Sequence, residues 1–217
     1  MREKHGEVFS IAGDNAPIPG CTVSREIYGG ENCVSYFSLA ENTDISAEIY
    51  PFHKLLLMNE GSVEIYGSGR DGVPLSPGDA ILTVCDAPVG MRTASGAVYT
   101  EIMIRRKDTM NEAVRAGEVF QLAKLLPYAE GRIVNMDVVH NEKMKFVLMA
   151  FDAGCSLSEH AAPGEALVFA LDGEAVISYE GRDYPIHAGE SFCFAKAGRH
   201  AVRAEKRFKM ALLLTLE

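Results

Sequence analysis

The sequence predicts an all-β protein built from two tandem β-domains, and three of its features support this. A segment of seven residues near the N-terminus recurs with little change halfway along the chain. Short segments that alternate between apolar and polar residues, as half-buried strands do, account for much of the rest. Glycine, proline, asparagine and aspartate interrupt these segments at intervals of about ten residues, a spacing typical of a β-sandwich or β-barrel.

The repeat divides the chain into two halves of similar length. Residues 6–12 read GEVFSIA and residues 117–123 read GEVFQLA, an offset of 111 residues in a chain of 217. A unit this long that occurs twice indicates a duplicated domain, because solenoid repeats are shorter and more numerous. We therefore predict domains at residues 1–108 and 109–217, each large enough to bury its own core.

Strands and turns are predicted at matching places in the two halves. Residues 62–66 and 175–179 partly alternate in polarity, and each segment closely follows a glycine that ends an apolar run, Gly61 or Gly173. Glycine permits the positive φ of a tight turn, so both glycines are predicted to form hairpins. Further along each half, the segments LSPGD and IHAGE predict a second matching pair of turns.

One short helix is predicted where the two halves join. Residues 110–126 place Val114, Val119, Leu122 and Leu126 so that they could share one apolar helical face. Gly117 lies inside this segment and disfavours a continuous helix. The segment is therefore expected to hold the connection between the two β-domains.

The charge and the apolar runs exclude two classes of partner. A formal charge of −9 repels phosphate backbones, and the only basic run of note, residues 105–107, is short and lies at the predicted junction. The longest apolar runs have the length of strands, well below the roughly 20 residues that cross a bilayer. We expect neither a nucleic acid nor a membrane as partner.

The cysteines and the N-terminal residues predict the cellular location. The five cysteines form no Cys-x-x-Cys pair, and their odd number argues against a disulfide framework. The basic residues near the N-terminus are not followed by the apolar segment of a secretory signal peptide. These features predict reduced thiols and a cytoplasmic protein.

Two motifs in the second half resemble those of the cupin superfamily. The first cupin motif contains a glycine, a His-x-His pair, a glutamate and a closing glycine, and here Gly154, His160 and Gly173 match it. The second motif contains a glycine, a Pro-x-Gly segment and a histidine, and here Gly189 and His200 match it. Together with the duplication, the resemblance implies a bicupin, which is two double-stranded β-helix (jelly-roll) barrels joined in tandem by a short connecting helix.

The resemblance also implies a divalent metal site, of which this chain keeps only part. Cupins typically bind the metal through three histidines and one glutamate, and those positions are here His160, Ala162, Ala166 and His200. Two imidazoles alone make a weak site for iron, manganese, nickel or zinc. Glu165 is a third candidate ligand, because a bulge just before it would turn its side chain toward the histidines.

The two alanines at ligand positions leave room for a small organic molecule. Phe192, Phe194 and Met210 are candidate walls of such a pocket, together with the alanines themselves. Core packing of the two phenylalanines and the methionine is the alternative. Cys193 is either a further soft ligand or a buried core thiol.

The first half departs further from the cupin pattern. Its four ligand positions are Glu48, Tyr50, Lys54 and Val89, so a site with three histidines cannot form there. Glu48 and Lys54 share strand parity, and we expect them to form a buried ion pair in place of the cation. This half is predicted to be structural.

The sequence therefore predicts a bicupin that binds a small organic molecule around His160 and His200, with or without a weakly held divalent metal. The two imidazoles would orient an anionic or hydroxylated ligand by hydrogen bonds. The alternative is a metal-dependent enzyme, and the resemblance leaves an isomerase, dioxygenase, decarboxylase or hydrolase of a small acid or sugar open. A pseudo-twofold monomer and a homodimer are both compatible with the duplication.

Overall fold

The computed structural model describes residues 1–67 and 72–216, and strands dominate this part of the chain. The strands that precede the predicted junction are β1 (Val8–Phe9), β2 (Thr22–Tyr28), β3 (Val34–Leu39), β4 (Thr43–Ile49), β5 (His53–Gly61), β6 (Val63–Tyr66), β7 (Val73–Leu75), β8 (Asp79–Leu82), β9 (Pro88–Thr93) and β10 (Ala97–Ile104). Those that follow it are β11 (Thr109–Met110), β12 (Val119–Gln121), β13 (Ile133–His140), β14 (Met144–Phe151), β15 (Ser156–Ala161), β16 (Ala166–Tyr179), β17 (Arg182–His187), β18 (Ser191–Phe194), β19 (Arg199–Arg203) and β20 (Phe208–Thr215). The all-β fold class is confirmed.

Two helices of four residues each complete the described elements: α1 (Ile11–Asp14) and α2 (Leu122–Leu125). The helix predicted over residues 110–126 is therefore confined to its last part. Gly117 has φ +82°, which no helix contains, and the residues after it form β12 by pairing with β8. Partners distant in sequence override the local apolar periodicity.

The strand pairings repeat from one half to the other. In the N-terminal half, a sheet of order β12-β8-β5-β10-β3-β2 packs against a sheet of order β4-β9-β6-β7. In the C-terminal half, the order β18-β16-β20-β14-β13 matches the first sheet, and pairings of β16 with β17 and β19, and of β15 with β19, match the second. Strand β16 is continuous where the N-terminal half has β5 and β6, so it joins both layers of its half.

Each half lends a strand to the other. Strand β1 pairs antiparallel with β18, with Val8 opposite Phe192. Strand β12 pairs antiparallel with β8, with Val119 opposite Ile81. These two pairings are equivalent under the sequence repeat of 111 residues. Val119 is the counterpart of Val8, and Phe192 is the counterpart of Ile81. The repeated segments detected in the sequence are thus the exchanged strands and the short helices that follow them.

The buried apolar residues of the described ranges form three clusters. One lies inside the N-terminal half and includes Leu56 and Tyr99, and another lies inside the C-terminal half and includes Phe192 and Phe208. The third contains residues of both halves, among them Leu55 and Leu167, so it joins the two halves. Neighbouring residues of a strand point to opposite faces of the sheet. On β5, Leu55 therefore belongs to the cluster that joins the halves, and Leu56 belongs to the cluster inside the N-terminal half.

Gly61 and Gly173 occupy equivalent places, where the chain leaves one sheet and enters the other, rather than the hairpins that the sequence predicted. Their φ angles are +72° and +73°. A Cβ on Gly61 would lie 2.1 Å from the carbonyl oxygen of Gly96, and one on Gly173 would lie 1.9 Å from that of Arg207. Glycine is needed at both places because of the positive φ and because of this close backbone approach.

No helix among the described residues has the length and apolar character needed to cross a bilayer. The five cysteines, all within the described part of the chain, carry free thiols.

Candidate functional site

The site forms where two strands of the C-terminal half bring His160 and His200 side by side. His160 lies on β15 and His200 on β19, and the two residues are direct partners in the antiparallel register. Their ring centroids are 4.3 Å apart with an interplanar angle of 56°. The sequence prediction that these two histidines meet is therefore matched by the geometry.

Backbone carbonyls fix the tautomer of both rings. Nδ1 of His160 lies 2.9 Å from the carbonyl oxygen of Ser158, and Nδ1 of His200 lies 2.9 Å from that of Gly198. A carbonyl oxygen only accepts hydrogen bonds, so each Nδ1 carries the proton and donates it. In the neutral rings, both Nε2 atoms therefore keep a free lone pair, which can accept a hydrogen bond or coordinate a cation.

The two rings differ in burial. His200 is 5% exposed and stacks on Phe194 at a centroid distance of 4.0 Å. Burial lowers the pKa of His200, the hydrogen bond to Gly198 partly opposes this, and the neighbouring His160 lowers the pKa further. His200 is therefore neutral at physiological pH, whereas His160 is exposed at the rim.

The predicted wall residues lie in the core of the C-terminal half. Ala166, Phe192, Phe194 and Met210 belong to one apolar cluster and are each at most 2% exposed. Ala162 is 9% exposed, and its carbonyl accepts a hydrogen bond from the amide of Ala197. Phe194 stacks on a histidine of the site, and Ala166, Phe192 and Met210 pack with it in the interior of the C-terminal half.

Glu165 does not join the histidines in this structure, contrary to the expectation that a bulge would turn its side chain toward them. Its carboxylate contacts the amino group of Met1 and lies 3.0 Å from Nε2 of His5. The residue lies beyond the end of β15 and immediately before β16, and its carbonyl accepts from Thr215, so its side chain faces the N-terminal segment instead.

The donor set does not fit a firmly held divalent metal. Within residues 1–67 and 72–216, no group of three histidine, cysteine, aspartate or glutamate side chains is arranged to hold one. Burial raises the pKa of the Cys193 thiol to about 12, so this cysteine stays protonated and is a core residue rather than a thiolate ligand. Two imidazoles alone supply fewer ligands than protein metal sites use.

The equivalent positions of the N-terminal half hold a different polar cluster. Glu48 pairs with Val89 across β4 and β9, as His160 pairs with His200. Lys54 does not pair with Glu48 as predicted: its Nζ lies 3.3 Å from Oε1 of Glu101 and 3.9 Å from the ring centre of Tyr50. Tyr50 instead donates to Glu48 at 2.6 Å, and Glu48 lies at the surface.

Glu101 carries a largely buried carboxylate that pairs with Lys54, and sequence reasoning did not identify it. Burial raises its pKa, which Lys54 partly lowers, and its Oε2 has no hydrogen-bond partner among the described residues. A signal was present, because Ala97, Tyr99 and Glu101 share one face of β10 and the glutamate is the charged member of an otherwise uncharged row. Such a residue on an inward face requires a partner of opposite charge.

Comparisons with known proteins agree with this fold. The Cupin_2 family model, described as a cupin domain, matches residues 147–216. The cupin 2 conserved barrel domain protein from Leptotrichia buccalis is similar in structure, with 27% identity, a TM-score of 0.85, and coverage of 99% of this chain and 98% of that one. No protein with a curated description matches the sequence.

Two more distant structures share the fold alone. Salicylate 1,2-dioxygenase from Pseudoaminobacter salicylatoxidans, solved as adducts with gentisate, has 11% identity and a TM-score of 0.62, and the match covers 96% of this chain and 80% of that one. Protein Ylba from E. coli has 13% identity and a TM-score of 0.61, with coverage of 98% and 92%. The family model thus matches the C-terminal half, and the fold extends over the whole chain. Residues 147–216 match the cupin domain model, and the chain as a whole has a fold similar to that of the Leptotrichia buccalis cupin barrel protein.

Proposed function

We propose that this protein is a bicupin, with domains at residues 1–108 and 109–217, that binds a small hydroxylated organic molecule at the histidine pair of its C-terminal domain. The observation that carries the proposal is the pair of imidazoles at 4.3 Å, each with Nδ1 tied to a backbone carbonyl. Two neighbouring Nε2 acceptors suit a molecule with two hydroxyl donors, such as a diol or a small sugar.

The ligand approaches from the rim. His160 is exposed, and His200 lies behind it against Phe194, so the buried ring is held rigidly and the exposed ring is accessible. Phe192 and Met210 fill the space further in, which limits the ligand to the mouth. A hydroxylated ligand is favoured over an anion, because the lowered pKa of His200 keeps this ring uncharged.

A calorimetric or thermal-shift titration with small diols, sugars and hydroxy acids tests the proposal. A molecule that binds only the folded protein raises its apparent stability. Substituting His160→Ala or His200→Ala should abolish the shift. His140→Ala, at a histidine whose side chain is 43% exposed and which interacts with Asp137, is the matched control and should leave it unchanged. No shift with any compound would refute the proposal.

The pH dependence of binding separates the two kinds of ligand. Protonation of an imidazole converts Nε2 from an acceptor into a donor, so binding of a diol should weaken as the pH falls and His200 becomes protonated. An anionic ligand would instead bind better at low pH. Elemental analysis of protein purified without chelators completes the test, because stoichiometric metal that disappears in His160→Ala would favour the metal-dependent enzyme.

A further inference from the structure

The N-terminal half contains a cavity with a largely apolar lining. Its volume is about 240 Å³, and Ile65, Ile81 and Val89 line it at 3–6% exposure. Thr83 and Val73 also line it, and Val84, which is 40% exposed, lies at its edge. An exposed large apolar side chain beside a buried apolar lining marks the end of the cavity that faces solvent.

The strand registers show which residues of the C-terminal half are equivalent to this lining. Ile65 pairs with Val73 on β6 and β7, as Ile177 pairs with Tyr184 on β16 and β17. On the second strand pair, Leu55 is opposite Leu82 and Leu167 is opposite Cys193. The residues on either side of Leu82 and Cys193 are therefore equivalent, which relates Ile81 to Phe192 and Thr83 to Phe194. Val89 corresponds to His200 in the same way.

Four rings occupy the equivalent space in the C-terminal half. The centroid distance is 5.2 Å between Tyr184 and Phe192, 5.1 Å between Phe192 and Phe194, and 4.0 Å between Phe194 and His200. Valine, isoleucine, threonine and valine stand at these four positions in the N-terminal half. The same fold thus has aromatic rings at a site in one half and smaller side chains, with space between them, in the other.

The lining defines the chemistry that the cavity accepts. Among the described residues that line it, none is charged, and the hydroxyl oxygen of Thr83 already accepts a hydrogen bond of 2.8 Å from the amide of Lys54. An apolar cavity of about 150 Å³ in another protein binds benzene, so the larger volume here has room for a substituted ring. The rings of the C-terminal half show that planar aromatic groups pack in this scaffold at this place.

We propose that the N-terminal half binds a small neutral aromatic molecule in this cavity, independently of the histidine site. Toluene is the probe, with benzoate as its charged counterpart. We expect toluene to bind and to perturb the NMR signals of the methyl groups of Ile65 and Ile81. Benzoate should bind much more weakly, because transferring a carboxylate into an uncharged cavity carries a large desolvation penalty.

Refilling the cavity with the rings of the other half tests the assignment. Ile81→Phe installs the ring of Phe192 and should weaken toluene binding by about tenfold or more. Val73→Tyr installs the ring of Tyr184 at a half-buried position and should also weaken toluene binding. This variant tests the assignment if Ile81→Phe does not fold. Ile18→Phe, at a residue that is 54% exposed, is the control and should bind toluene as the unmodified protein does.

Three results would overturn the assignment. These are no toluene binding up to its solubility limit, equal affinity for toluene and benzoate, and toluene binding that is unchanged in both refilled variants. His160→Ala should not alter toluene binding, so the outcome is separate from that of the histidine site.

Discussion

Replacing Lys54 by methionine should destabilise the protein by about 3–5 kcal/mol at neutral pH, because it leaves the carboxylate of Glu101 buried without its partner. The two charged groups are 3.3 Å apart, and their side chains are only 9% and 13% exposed, so solvent screens the pair weakly. The contact between Lys54 and the ring of Tyr50 is lost as well, which adds roughly 0.5–2 kcal/mol.

The pH dependence gives the change a specific signature. Burial raises the pKa of Glu101 and Lys54 partly lowers it, so removing the lysine raises this pKa further. A carboxyl group with a raised folded-state pKa stabilises the fold when protonated, and this contribution is lost as the pH rises through that pKa. The deficit of Lys54→Met should therefore be largest at neutral pH and shrink as the medium becomes acidic.

Urea denaturation at neutral and at mildly acidic pH measures both quantities. The double variant Lys54→Met with Glu101→Leu is the control, since Leu212 stands at the position equivalent to Glu101 in the other half. We expect it to recover most of the lost stability, because apolar replacement of a whole buried pair is often neutral. A single-variant deficit below about 1 kcal/mol at neutral pH, or one that does not change with pH, would refute the reasoning.

Three further predictions concern packing, backbone conformation and a second buried carboxylate. Phe192→Ala should lower the free energy of unfolding by about 3–5 kcal/mol, since this ring is fully buried among other rings, and a urea midpoint close to that of the unmodified protein would contradict this. Gly173→Ala should lower the melting temperature far more than Gly181→Ala. Both glycines have positive φ, but a Cβ has open space around it only at Gly181. Equal losses in melting temperature would show that the close approach at Gly173 is tolerated. Burial raises the pKa of Asp108, but hydrogen bonds from Asn32 and Arg105 outweigh this effect and lower the pKa. Asp108→Ala should therefore lower the free energy of unfolding by about 1.5–3 kcal/mol at neutral pH. This loss should fade as the pH drops below about 4, which denaturation curves at neutral and acidic pH would show.

The features that sequence alone predicted depend on repetition and on local pattern. The duplication follows from the repeated segment, the all-β class from the alternation of polarity, and the meeting of His160 with His200 from the resemblance to the two cupin motifs. The partner of Lys54 could not be read in this way, because Glu101 lies on a different strand 47 positions away. The predicted junction helix was overestimated for a related reason, since the pairing of β12 with β8 is a contact between the halves.

The cavity of the N-terminal half shows the limit of reasoning from motifs. The side chains of Val73, Ile81 and Thr83 are unremarkable in the sequence, and their importance emerges once the strand registers show which aromatic residues they replace. The difference in side-chain size between the halves becomes visible only after the strand registers are compared. Glu165 illustrates the opposite case, because a bulge was expected to turn it toward the histidines, whereas its side chain contacts Met1 and His5.

The reciprocal exchange of β1 and β12 makes the single chain resemble a dimer whose subunits have been fused. Cutting the chain between the halves would leave each fragment with an edge strand that its former neighbour completes. Two such fragments should reassociate when mixed, because each exposes the unpaired backbone groups that the other satisfies. Covalent linkage replaces this concentration-dependent encounter with an intramolecular one, so assembly no longer depends on how much protein the cell contains.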